Sequence, residues 1–318
     1  MINRLSGILI LLWAAGGMSA AAADIFGLYA PPGSISINAT YEWSSEESLQ
    51  VQIEHEGDAV SAWFLVLDKG QAPDYTTRLA NQGASVVNYQ IYKDTSPNTN
   101  VVKAPPDSLS ADNVITTGDF DTFTAGPEIV SFPFYFTFGS GQFSPAGVYN
   151  DTLVLSLYRG DPALPGTHVL VESVSVSVSI RMAELMDVFM DREPGISSLD
   201  LLTPVSEKLI ATIHERSNAS LGYIVSLTSQ NFSADSSGHS GPYLLHETTS
   251  DFIEYDLSYG GSAVSSWVNG VSLITDSPGI TDSGTTWLDK ELRITYDSGL
   301  NSPSGYYQDR LILTISAK

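Results

Sequence analysis

Much of this chain occurs in it twice. Ser144-Pro-Ala-Gly-Val-Tyr-Asn-Asp-Thr-Leu-Val-Leu-Ser-Leu-Tyr158 aligns with Ser302-Pro-Ser-Gly-Tyr-Tyr-Gln-Asp-Arg-Leu-Ile-Leu-Thr-Ile-Ser316, identical at 7 of 15 positions. Upstream, Glu47, Leu49, Ile53, Ala59 and Leu67 match Glu207, Leu209, Ile213, Ala219 and Leu227. Between these blocks, Val87-Asn-Tyr-Gln-Ile91 stands opposite Ile253-Glu-Tyr-Asp-Leu257. The offsets are 158, 160 and 166, in one order along the chain, which is how a duplicated structural unit reads. A length of 318 residues holds two units of ordinary domain size. The expected division is 24–165 and 172–318, joined by a linker at 166–171.

Inside each unit, apolar and polar residues alternate, as they do on half-buried strands. Ser34–Tyr41, Phe132–Phe138, Val174–Ile180, Leu292–Tyr296 and Leu311–Ile315 are clear cases. Turn clusters such as Asp68-Lys69-Gly70, Gly139-Ser140-Gly141 and Asn269-Gly270 separate them. No long segment has helical period, and Leu185–Met190 reads equally as one helical turn or a strand. The chain is therefore expected to be all-β. In the repeated block, Gly147 and Gly305 suit tight turns with unusual backbone angles. Tyr149 and Tyr307 would point inward and bond back across the corner. Leu153, Leu155 and Leu157, and likewise Leu311, Leu313 and Ile315, would line one core face of a strand.

These residues resemble the spore coat protein U-like domain, the pilin domain of archaic chaperone–usher pili. That family has a segment like Asn88–Asp94 ahead of a closing block Pro-x-Gly-x-Tyr-x-Asp. Pro145, Gly147, Tyr149 and Asp151 fit the block in the first unit, and Pro303, Gly305, Tyr307 and Asp309 fit it in the second. The chain departs from many such domains in having no cysteine. The resemblance implies two tandem Ig-like β-sandwiches, the second lacking its last strand. It implies partners too: a periplasmic chaperone, an outer-membrane usher and a neighbouring pilin subunit whose extension fills the groove. The groove is expected beside Tyr307, Leu311, Leu313 and Ile315, because nothing remains after Leu311–Ile315 to add a strand. The first unit is followed instead by the alternating run Val169–Ile180. Its first part is expected to complete unit one and its second part to open unit two. At the N-terminus only Asp24–Gly33 looks spare, and Pro31 and Pro32 cannot donate ladder hydrogen bonds. A two-domain chain of this kind looks like a pilus tip subunit, and tip subunits of the family are adhesins. The alternative left open is a free-standing secreted binding or coat protein with two complete sandwiches.

Other classes have less support. Acidic residues number 36 against 14 basic ones, a formal charge of −22, which repels nucleic acid and anionic membranes. Without cysteine there is no disulfide framework, thiolate metal site or thiol nucleophile. Asp282-Ser283-Gly284-Thr285 matches the aspartic-protease signature, but the first half supplies no second such motif for a carboxylate pair. His239 and His246 are too far apart, on a loop, for a usual zinc site. Asp94-x-Ser96-x-Asn98-x-Asn100 lacks the glycine and glutamate of a calcium loop, and Asp119 and Asp121 read as solvated carboxylates. No enzyme, cofactor or metal is expected. The sequons at Asn38, Asn150, Asn218 and Asn231 matter only in a eukaryotic secretory host. The tract Asp94–Val130, with Val101, Val102, Phe120, Phe123 and Ile129, reads as a loop that contacts a surface or as packing on its own sandwich. Arg4, the apolar run Ile8–Trp13 and Ala21 and Ala23 form a signal peptide over residues 1–23, so the protein is expected to be exported.

Overall fold

The computed structural model describes residues 24–30, 32–95, 100–116, 119–120, 127–194, 198–234, 238–281, 287–298 and 301–318. The expected signal peptide over 1–23, Pro31, Ser96, Asn98, Asp121, Phe123 and the Asp282–Thr286 motif lie outside the described residues. The chain is all-β, apart from single turns of helix such as Gln230–Ser233.

The first sandwich contains β1 (Ile25–Leu28), β2 (Ile35–Ala39), β3 (Ser45–Glu56), β4 (Trp63–Leu67) and β5 (Arg78–Gln82). It continues with β6 (Ser85–Tyr92), β7 (Glu128–Phe138), β8 (Gly147–Arg159) and β9 (Val169–Met182). The hydrogen-bonded order is β1-β3-β7-β6-β5-β8-β9-β2, with β4 also paired to β8. Alternation places one face of each strand inward. In β7, Phe132, Phe134, Phe136 and Phe138 are buried and the residues between them are half-exposed.

The second sandwich contains β10 (Met186–Arg192), β11 (Val205–Ser217), β12 (Tyr223–Ser229), β13 (Tyr243–His246), β14 (Phe252–Glu254) and β15 (Asp256–Tyr259). After them come β16 (Ser262–Ala263), β17 (Val271–Ser277), β18 (Leu288–Tyr296), β19 (Tyr307–Gln308) and β20 (Leu311–Ala317). Its sheets are β10-β11-β18-β15-β16, β17-β12-β20 and β14-β13-β19. Of the stretch Leu185–Met190, all but Leu185 is therefore strand.

The repeat is visible in the ladders themselves. Leu65 opposes Leu157 between β4 and β8, and Val225 opposes Ile315 between β12 and β20. Asn81 opposes Asn150 between β5 and β8, and Leu245 opposes Gln308 between β13 and β19. Ile53 opposes Val130 in one unit and Ile213 opposes Lys290 in the other. The first and third pairs are carried onto their counterparts by the offsets 160 and 158 read from the sequence, while Asn81 and Leu245 differ by 164, between the offsets of the flanking blocks.

Two sequence expectations need correction. Val169–Met182 is a single strand whose whole length pairs antiparallel with β8, from Arg159–Val169 to Gly147–Met182. Its other edge pairs in parallel with β2. The run does not divide between the units, because it stays paired with β8 from end to end, across one register shift opposite Leu157 and Tyr158. The ladder of the first sandwich thus reaches Met182, and the stretch expected as linker and as the start of unit two belongs to that ladder. The N-terminal stretch is not spare either, since Ile25–Leu28 pairs with Ile53–Glu56 on the edge of the first sandwich.

The units meet where β11 ends. Asn218 is buried, takes the Leu185 N–H on its Oδ1 at 2.6 Å and donates from Nδ2 to the Ala183 carbonyl at 3.0 Å. Its own carbonyl accepts from Ala146 N of the first sandwich at 2.7 Å. Arg216 lies over the Trp287 ring at 4.2 Å and bonds Asp187 at 3.1 Å and Glu42 at 3.5 Å.

Candidate functional site

The two closing strands have nearly the same sequence but different surroundings. In the first sandwich, Tyr149, Leu153, Leu155 and Leu157 of β8 are all 0 % exposed. Strand β8 has β4 and β5 on one edge and β9 on the other. Strand β9 puts Val176, Val178, Ile180 and Met182 into the same core. In the second sandwich β20 pairs with β12 on one edge, and among the described residues no strand pairs with the other. The counterparts Tyr307, Leu311, Leu313 and Ile315 are only half-buried. Ile312, on the outer face, is 41 % exposed.

A cleft opens along that unpaired side. One cavity of about 440 Å³ is lined by Met190, Ile210, Ala211, Leu244, Leu292 and Leu311. A second, of about 860 Å³, is lined by Leu199, Leu201, Ile253 and Tyr307, and the two share Ser198, Leu199 and Leu244. The lining of the first cavity is mostly apolar, with Leu311 contributed by β20, while the second mixes leucines with Asp200, Glu247 and serines. Such a cleft can take an extended chain that supplies both ladder hydrogen bonds and apolar side chains. Left open, it is an aggregation hazard.

What holds β8 and β20 in place is common to both sandwiches. The Tyr149 hydroxyl donates to the Pro145 carbonyl at 2.7 Å, and the Tyr307 hydroxyl donates to Pro303 at 2.9 Å. This is the corner bond expected from the repeated block. Two residues on, the repeated aspartate is an acceptor, buried at Asp151 and half-buried at Asp309. Tyr89 donates to Asp151 at 2.6 Å and its counterpart Tyr255 donates to Asp309 at 2.5 Å. Asp151 also accepts from Thr152 N at 2.8 Å, and Asp309 from Arg310 N at 2.7 Å. Burial, together with the aspartate alongside, pushes both phenols far above their ordinary value, so each stays a donor. The glycines differ from expectation. Gly147 has φ +146°, but Gly305 is kept small by crowding, since a Cβ there would stand 2.0 Å from His246 Nε2.

The remaining candidates are used structurally. His246 Nδ1 accepts from Thr248 N and Thr249 N, both at 3.2 Å, and His239 lies 3.6 Å from Glu254. Among the described residues no three metal-ligating side chains cluster. In the tract after Asp94, Val102 is 0 % and Phe120 is 4 % exposed, and Phe120 bridges to Val60, so these two pack on their own sandwich. Ile129 remains 41 % exposed.

Sequence reasoning missed two buried polar sites. Arg78 is fully buried and donates to the carbonyls of Asp68 (2.9 Å), Leu67 (3.0 Å) and Val102 (2.8 Å), as well as to the Gln90 side chain. Burial lowers its pKa to about 10, so it stays charged at neutral pH while pinning the tract to the sheet. Glu215, also fully buried, accepts from Thr275 at 2.7 Å, from Tyr223 at 3.2 Å and from Tyr259, with Lys290 Nζ 3.4 Å away. A buried arginine or glutamate carries no period or spacing by which a sequence could reveal it.

The fold defines a class: tandem β-sandwiches of one design, the first closed by its own last strand and the second open along the corresponding edge. Residues 39–156 match the family model of the Spore Coat Protein U domain. No curated protein matches the chain by sequence. Among solved structures it is similar to the CsuC–CsuE chaperone–tip adhesion subunit complex of archaic Csu pili from Acinetobacter baumannii. There the identity is 15%, with 90% of this chain and 99% of that one covered, at a TM-score of 0.41. It is also similar to the CupB6 tip adhesin of Pseudomonas aeruginosa (10% identity, 85% and 86% covered, TM-score 0.41). A third likeness is to CfaE, the adhesive subunit of CFA/I fimbria of enterotoxigenic Escherichia coli (12% identity, 92% and 93% covered, TM-score 0.35).

Proposed function

We propose that this chain is an exported, non-enzymatic pilus subunit that sits at the fibre tip and mediates attachment. Assembly proceeds by strand complementation of the second sandwich. A periplasmic chaperone occupies the groove beside Tyr307, Leu311, Leu313 and Ile315 first, and the extension of a neighbouring pilin subunit occupies it after passage through an outer-membrane usher. The second sandwich is then a further domain of the spore coat protein U type, and the first presents its loops to the surface or receptor.

The observation that carries this reading is the contrast between two equivalent strands. Leu153, Leu155 and Leu157 are sealed by β9, while Leu311, Leu313 and Ile315 stand half-buried beside an edge with no partner among the described residues. The use of Ile25–Leu28 in the first sandwich also supports a tip position, because that segment is committed to its own sheet. Amide hydrogen exchange on the purified secreted chain tests the reading. Slow exchange across Asp151–Tyr158 with fast exchange across Asp309–Lys318 supports an acceptor groove. Equal, strong protection of both would replace it with a self-contained secreted binding protein.

A further inference from the structure

The first sandwich contains a worked example of a strand that has no equivalent beside β20 among the described residues. Strand β9 runs antiparallel to β8 with Ile180 opposite Tyr149, Val178 opposite Asp151, Val176 opposite Leu153 and Val174 opposite Leu155. The β4–β8 and β12–β20 ladders superimpose residue for residue under the repeat. The β8–β9 register can therefore be carried to β20 without adjustment. Ile180, Val178, Val176 and Val174 then fall opposite Tyr307, Asp309, Leu311 and Leu313. The residue opposite Arg310 is the counterpart of Ser177, because Thr152 opposes Ser177 in the first sandwich.

The rim of the groove adds a charge requirement. Arg192 and Arg310 both line the 440 Å³ cavity, and neither has a carboxylate partner among the described residues. The counterpart of Arg310 in the completed sandwich is the uncharged Thr152. Basic residues number only 14 in a chain of charge −22, so a mouth bearing two arginines departs from the surrounding field. Asp309, also on the lining, is already engaged by Tyr255, Ser229, Asn231 and Arg310 N.

We infer that the occupant of this groove, set against β20 in the register of β9, carries an acidic residue on its outer face opposite Arg310. The inference rests on the acceptor reading above and specifies the partner that reading leaves open.

The test uses the whole secreted chain and labelled synthetic peptides of residues 170–182, with binding read by fluorescence anisotropy at low salt. The unmodified peptide should bind at least tenfold more tightly than one in which the serines and valines of 173–178 are exchanged, which turns the apolar face outward. A Ser177→Glu peptide should bind roughly 2–5-fold more tightly than the unmodified one, and Ser177→Lys weaker by a similar factor, as suits an exposed ion pair. In an Arg310→Glu chain this order should reverse. Arg310 is exposed, so that variant retains the fold. Equal binding of the Glu and Lys peptides, or an unchanged order in Arg310→Glu, overturns the charge assignment. Tighter binding of the face-exchanged peptide overturns the register while the groove stands. If no peptide binds and the β20 amides are protected in the free chain, the acceptor reading fails and the inference goes with it.

Discussion

Leu155→Ala and Leu313→Ala are the same substitution at equivalent places, so their difference measures what β9 supplies. Leu155 is 0 % exposed, with β4 on one side and β9 on the other. Truncation there removes fully buried methyl groups and leaves a closed void, a cost of about 3 kcal/mol within the usual range for core leucine. Leu313 pairs with Leu227, lies on a strand whose other edge has no partner among the described residues, and is half-buried. Part of its side chain already meets solvent and the vacated space opens to water, so the cost falls to about 1 kcal/mol. For domains of this size, about 3 °C per kcal/mol places the shifts near 9 °C and 3 °C respectively. Scanning calorimetry of the purified chain reads the two losses. Hydrogen exchange along β8 and β20 assigns each loss to its sandwich. Equal losses would mean that Leu313 is as enclosed as Leu155, and the argument for an open groove would fall.

Further outcomes follow from the buried polar groups. Tyr89, Tyr223, Tyr255 and Tyr259 all have pKa values raised above 10.0, first of all by burial. Their contribution to stability is therefore full below pH 10 and declines as pH rises beyond it, since only the unfolded chain ionises there. Absorbance at 295 nm should show them un-ionised at pH 11 while the chain is folded, and ionisation near pH 10 in the native state would contradict the burial argument. Arg78→Lys should lower stability by about 3 kcal/mol in urea melts, because one ammonium cannot reach three carbonyls and Gln90 together; a loss under 1 kcal/mol would show the fork to be dispensable. Asn218→Ala removes both side-chain bonds to the 183–185 connection and should cost about 1–3 kcal/mol. It should also broaden the distance distribution between labels on the two sandwiches, and an unchanged distribution would shift the junction's rigidity to Arg216.

The order of the two sandwiches and their strand content could be read from the chain alone. Alternation with period two is a property of consecutive residues, and duplication preserves order even after most identities are lost. For the same reason the Pro-x-Gly-x-Tyr corners were legible, since the donor hydroxyl and acceptor carbonyl lie only four residues apart. The residues proposed to border the groove, Tyr307, Leu311, Leu313 and Ile315, come from the same block. Contacts between distant residues were out of reach. Alternation in Val169–Met182 shows that one face is apolar but cannot say which core receives it. That was decided by pairing with β8 and β2, some 20 and 140 residues away. Arg78, Glu215 and Asn218 are polar residues of ordinary appearance whose burial depends on partners brought together by the fold. Leu155 and Leu313 sit in nearly identical sequence, and only the tertiary structure separates them. Burial depends on which strand lies alongside, and no residue carries that information about its own neighbour.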